Sequence, residues 1–164
     1  MRFGYTILYV EDVSRAIDFY ERAFGLARRF VTDDATYGEM ETGDTTLSFA
    51  THSLVSGFLP GGYRRNDPAE PPAGVEIGFV TDDVPAAWDA ALAAGAIVVS
   101  APETKPWGQT VAYVRDPEGM LPFGQLAVGA IAERVGAPLA TAGACVAALI
   151  GIGLIARHYR LLHA

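Results

Sequence analysis

The sequence predicts an α+β chain built from two tandem βαβββ modules, followed by an apolar helical C-terminal tail. Three observations predict it. The string Asp12-Val13-Ser14-Arg15-Ala16-Ile17-Asp18 returns 71 residues later as Asp83-Val84-Pro85-Ala86-Ala87-Trp88-Asp89, each copy after a short apolar run, so one strand-then-helix unit occurs twice. Each predicted helix is followed by short β-rich runs separated by turn residues. The composition then changes beyond the turn Asp116-Pro117-Glu118-Gly119: residues 1–119 hold 9 basic and 18 acidic side chains, residues 120–164 only 3 and 1 in a background of Ala, Gly, Leu, Val and Ile. These features divide the chain into a domain over 1–119, with modules 3–52 and 74–126 joined by a linker 53–73, and a tail over 120–164 that reads as a fusion segment.

In chain order, Tyr5 to Val10 is a β-rich run. Asp12 is a helix cap, and Ala16, Ile17, Tyr20, Ala23 and Phe24 recur at helical spacing until Gly25, predicting a helix over 13–24. Residues 26–33, 36–41 and 45–51 read as strands, with Asp33-Asp34 and Gly43-Asp44 as turns. Ser53 to Gly74 holds four prolines and four glycines, too many for a buried element, and is expected to loop over a site. The second module repeats the order. Val75 to Val80 is a strand, Asp82 or Asp83 a cap, and Pro85 fits a first helical turn; Gly95 closes a helix over 84–94. Strands over 96–100 and 109–115 follow, separated by Pro102 to Gly108. The eighth strand, after Gly119, is expected to be compromised or remade, because Pro122 removes a ladder donor.

The strings YVEDVSRAIDFYERAFGL and ETKPWGQTVAYVRDPEG resemble the glyoxalase, bleomycin-resistance and dioxygenase superfamily, the vicinal oxygen chelate proteins, over residues 3–119. The resemblance implies that the sheets curl into an open, cup-shaped mixed sheet with ligands inside, and that the chain forms a homodimer. Metal-dependent members of that family place His, Gln or Glu at four strand positions, which correspond here to Tyr5, Ser48, Glu76 and Phe123. A neutral phenol is a poor ligand, a serine replaces a usual glutamate, and phenylalanine offers no donor. Only Glu76 ligates a divalent ion well, whereas such an ion normally takes three or more protein ligands, so no metal and no cofactor is expected.

Other candidate site residues follow from chemistry and placement. Glu76 falls in a strand expected to be half-buried, where a carboxylate requires a donor. It either hydrogen-bonds Tyr5, Thr6 or Ser48 and merely closes the cup, or holds a cationic or hydroxylated ligand. Trp107 stands in the loop Lys105-Pro106-Trp107-Gly108, and the resemblance suggests a pocket wall that stacks on flat ligands. Phe49 is an aromatic candidate of the same kind, as are Phe58 and Tyr63, whereas Trp88 faces inward as core. His52 reads as an imidazole at a strand end. The ligand-binding set is therefore Tyr5, Ser48, Phe49, Glu76 and Trp107. No phosphate-binding glycine pattern and no nucleophile elbow is present.

A net charge of −7 and a pI near 4.8 exclude a phosphate-wrapping nucleic-acid binder. A single cysteine, Cys145, forms no intramolecular disulfide, and no signal peptide is recognised, so a cytoplasmic location is expected. Residues 137–156 are twenty uncharged positions flanked by Arg157, His158 and Arg160, which predicts membrane association or strong self-association. From Met120 onward the sequence resembles the last two membrane segments of a major-facilitator exporter. Taken together, the sequence points to a metal-free small-molecule-binding protein that sequesters a toxin or antibiotic. The alternatives are a metal-dependent lyase, isomerase or dioxygenase of the same superfamily, and a membrane-anchored or interaction module acting through the tail.

Overall fold

Local capping fixes both long helices. Asp12 accepts a hydrogen bond from the Arg15 amide at 2.9 Å and opens α1 (Val13–Phe24), which stops at Gly25 in the left-handed region. Asp83 does the same for α3 (Val84–Ala94) through the Ala86 amide, with Pro85 in the first turn and Gly95 at the end. Both helices match their expected bounds. The computed structural model describes residues 1–125, the last three by backbone only.

Each module forms its own mixed four-stranded sheet. In the first, β1 (Tyr5–Val10) pairs in parallel with β4 (Thr46–Thr51), and β3 (Tyr37–Glu41) and β2 (Ala27–Val31) continue antiparallel. In the second, the same order is built from β5 (Ile77–Val80), β8 (Pro122–Gln125), β7 (Thr110–Arg115) and β6 (Ile97–Thr104). The hydrogen-bonded ladder is therefore one sheet per module.

Three details differ from the sequence reading. The linker begins with a short helix, α2 (His52–Ser56), capped by Thr51; five residues are too few to show a helical period. Strand β6 runs on to Thr104 despite Pro102, because it is an edge strand whose register shifts on either side of Ser100 and so tolerates a missing donor. The eighth strand forms, since Pro122 is its first residue and the ladder continues through residues 123–125 to both β5 and β7.

Alternation in the strands assigns two faces. Leu8, Val10, Leu47, Phe49 and Met40 turn toward α1 and join Ile17, Phe19 and Tyr20 in the core. Gly38 permits the closest approach, since a Cβ there would stand 2.6 Å from Ile17 Cδ1. Tyr20 and Phe24 also meet Phe79 of β5, with ring centroids 6.2 and 4.7 Å apart, so aromatic packing joins the modules. A buried polar contact accompanies it: the Tyr20 hydroxyl donates to Asp116 Oδ2 at 3.0 Å, while Asp116 Oδ1 accepts from the Glu118 and Met120 amides.

One buried side chain binds three carbonyls of the linker. Buried Arg115 donates to the carbonyls of Asp67, Pro68, Glu70 and Gly119 at 2.7–3.0 Å. Gly119 has φ +86°, and a Cβ there would lie 2.7 Å from the Arg115 guanidinium and 2.8 Å from the linker backbone. No other residue type fits without displacing that contact.

The expected apolar helical tail, its exporter resemblance and the membrane association assigned to 137–156 lie outside the described residues. Among the described residues no helix is long and apolar enough to cross a membrane. The compact unit of which these residues form part ends at Leu126, so β8 lies within it.

Candidate ligand-binding face

The sheet face turned away from α1 carries the polar side chains of the first module. Register puts Ile7 opposite Ser48 and Ser48 opposite Glu39, so Tyr5, Ile7 and Tyr9 of β1 share this face with Thr46 and Ser48 of β4 and with Tyr37, Glu39 and Glu41 of β3. The sequence Tyr37-Gly38-Glu39-Met40-Glu41 alternates accordingly, with glycine and methionine against the helix and the hydrogen-bonding residues on the open side.

Arg29 of β2 organises the cluster. Its guanidinium makes a two-pronged contact with Glu41 at 2.8 and 2.9 Å, and its remaining Nη1 donates to Glu39 at 2.9 Å and Thr46 at 3.1 Å. These bonds, that to Glu41 first, raise the Arg29 pKa further above its ordinary range and lower that of Glu41. Glu39 is buried and also accepts from the Tyr37 hydroxyl at 2.9 Å. Burial, reinforced by Glu39, raises the Tyr37 phenol above 10, so it stays a neutral donor. The buried Ser48 hydroxyl donates to the Thr6 carbonyl at 3.4 Å. Beside this network Tyr5 and Ile7 are 55% and 44% exposed, an apolar and aromatic surface next to fixed polar groups.

One end of the face is closed by the linker. The Tyr63 ring packs on Tyr9 with centroids 4.9 Å apart, and its hydroxyl shares a 2.6 Å hydrogen bond with His52 Nδ1. His52 Nε2 lies 3.9 Å from Glu11, which also meets Arg65 at 3.3 Å. Burial, then the positive Arg65, lower the His52 pKa, so the imidazole is neutral at pH 7.

The predicted site residues therefore separate. Tyr5 and Ser48 share the open face. Phe49 does not: it is fully buried on the opposite side of β4, with its ring 5.0 Å from Tyr20, because neighbouring strand residues point to opposite faces. Glu76 is exposed one residue before β5 begins, so the expectation of a half-buried carboxylate in need of a donor is corrected. Trp107 is 64% exposed at the β6–β7 turn, where its ring N–H donates to Gln109 at 2.7 Å. Phe58 is exposed and Trp88 partly buried against the core. Sequence reasoning missed Arg29, Tyr37, Glu39 and Glu41; the period-two alternation of residues 37–41 was the signal that could have found the last three.

Residues 2–121 match the Glyoxalase/Bleomycin resistance protein/Dioxygenase superfamily. The chain belongs to this superfamily. Within curated sequences it is 32% identical over 122 residues to an uncharacterized protein of Mycobacterium bovis, covering 68% of this chain and 74% of that one. A glyoxalase-related enzyme from Fulvimarina pelagi superposes with a TM-score of 0.68 at 16% identity, over 77% of this chain and 88% of its own. A protein of unknown function from Agrobacterium tumefaciens gives 0.63 at 25% identity, over 78% and 95%. The superfamily match stops at residue 121 and lends no support to the exporter resemblance of the tail.

The donor set does not fit the metal that some superfamily members use. Tyr5 and Ser48 offer weak neutral donors, Glu76 stands outside its strand, and position 123 is phenylalanine. Among the described residues no three His, Cys, Asp or Glu side chains converge.

Proposed function

We propose that the open face of the first module binds a small organic molecule without a metal, in the manner of a sequestering protein for a toxin or antibiotic. The observation that carries this reading is the juxtaposition of exposed Tyr5 and Ile7 with the hydrogen-bonded Arg29–Glu39–Tyr37 network. Small-molecule sites are usually apolar surfaces with a few fixed polar groups. Here Glu39 and Glu41 outnumber Arg29, which favours ligands bearing a donor or a positive charge. Glu11, Tyr63 and His52 border the same face at the linker end. Binding requires no nucleophile or general base. Homodimerisation and a cytoplasmic location belong to the same reading.

The test is calorimetric titration of the full chain with bleomycin and a panel of planar aromatic amines, with and without added Zn²⁺ or Mn²⁺. Saturable binding that Tyr5→Ala weakens several-fold and that metal leaves unchanged supports the proposal. Binding or turnover that appears only with metal favours the lyase, isomerase or dioxygenase alternative.

A further inference from the structure

The two modules are repeats, but their helix-side cores are not equally filled. The 71-residue shift that carries Asp12 onto Asp83 carries Ile17 onto Trp88, Phe19 onto Ala90 and Tyr20 onto Ala91. In the sheets, Thr6 pairs with Leu47 and its counterpart Ile77 with Pro122, so the counterpart of Phe49 is Gly124. Phe49 stands opposite Gly38 in the first module; Gly124 stands opposite Ala112 in the second. Where the first module stacks Tyr20 on Phe49, both fully buried, the second has alanine over glycine.

An open space lies at the same place in the second module. A cavity of about 410 Å³ lies between α3, the end of α1 and the second sheet, with Phe24, Phe79, Trp88, Ala91, Ala112 and Val114 among its walls. Its size falls in the range of small-molecule sites, roughly 300–1,000 Å³. The polar groups at its edge are engaged locally: Asp83 caps α3, Thr81 bonds the Asp83 backbone, and Arg22 Nε donates to the Asp18 carbonyl. The remaining walls are apolar, the kind of surface that small-molecule sites usually present to an apolar guest.

We propose that this space beneath α3 is a second ligand site, separate from the open face, and that it takes a small, neutral, planar apolar molecule in place of the ring pair that fills the first module. It does not rest on the function proposed above, because it lies against the helix side of the second sheet, whereas the open face belongs to the first.

The experiment uses the full chain carrying Trp107→Phe, which leaves Trp88 as the sole tryptophan. Toluene is the probe, read by Trp88 fluorescence and by the melting temperature. A saturable fluorescence change with a concentration-dependent rise in melting temperature is expected. Ala91→Phe, which restores an aromatic ring, and Ala87→Leu, which fills the cavity from another point on α3, should each weaken the toluene response at least tenfold. The two variants guard against misfolding of either. The response should survive Tyr5→Ala, which alters only the open face. Absence of a saturable response in the parent, an undiminished response in both filled variants, or loss of the response in Tyr5→Ala would each overturn the proposal.

Discussion

Glu39 shows how a single buried side chain constrains its neighbours. Its carboxylate has left water on a sheet face, and Arg29 and Tyr37 supply the donors that make this tolerable. Arg29→Met is expected to destabilise the protein, because buried Glu39 then keeps only the Tyr37 donor, whereas Arg29→Met combined with Glu39→Leu should recover part of that loss. Urea unfolding of the three proteins checks this, and equal stability of single and double variants would show that Glu39 is not dependent on Arg29. At this scale the sequence was only half legible. Tyr5 and Ser48 could be placed because the family resemblance assigned them positions on strands that the β-rich runs had located. Phe49, one residue from Ser48, was assigned to the site although alternation sends it to the core. Arg29 could not be found by spacing at all, since the register of β2 against β3 shifts between Arg28 and Phe30 and only the folded ladder reveals which arginine faces the carboxylates.

Among elements, the linker depends for its position on a distant residue. Proline and glycine deny it a regular ladder, so its carbonyls need donors from elsewhere, and Arg115 of β7 provides them for residues 67, 68 and 70. Arg115→Met should release that segment. Trypsin should then cleave after Arg64 or Arg65 several-fold faster than in the parent protein, and an unchanged cleavage rate would mean that Tyr63 and His52 suffice to hold the linker. Element α1 illustrates a second dependence. Gly38→Ala puts a methyl group where Ile17 Cδ1 already lies, with the Phe30 carbonyl 3.1 Å away, so the helix must shift or Ile17 must change rotamer. A loss of about 1–3 kcal/mol by thermal or urea unfolding is expected. The long helices were legible because cap, apolar period and terminal glycine agreed in each. Element α2 and the extension of β6 were not, since one is a single capped turn and the other contains a proline that the sheet tolerates only at an edge.

On the scale of the whole molecule, the two modules are tied by Tyr20 of α1 and Asp116 of the β7–β8 turn, and that tie makes stability depend on pH. Burial pushes the Asp116 carboxyl up from 3.8 to about 6, even though the Met120 amide, the Tyr20 hydroxyl and the Glu118 amide all favour its charged form. The unfolded chain releases this proton near pH 4, whereas the folded protein keeps it until about pH 6. Between those values the folded state binds more proton than the unfolded state, so Asp116 contributes stability that is present below pH 4 and lost as pH rises to 6. One pKa unit corresponds to about 1.4 kcal/mol, so the total is up to about 3 kcal/mol. His52 acts in the opposite direction. Its lowered pKa means that the unfolded chain takes up a proton first as pH falls below 6.5, and stability is lost there on acidification. The two contributions partly cancel in the parent protein, so the informative quantity is the difference between its stability curve and that of Asp116→Asn. The amide keeps an oxygen for the two backbone donors and presents an NH₂ group to the Tyr20 hydroxyl, which can accept from it. Urea unfolding from pH 4 to pH 7 is expected to show Asp116→Asn gaining on the parent as pH rises, with most of the gain complete by about pH 6. Parallel curves would show that the buried carboxyl titrates alike in both states and that the contact between modules is not proton-linked.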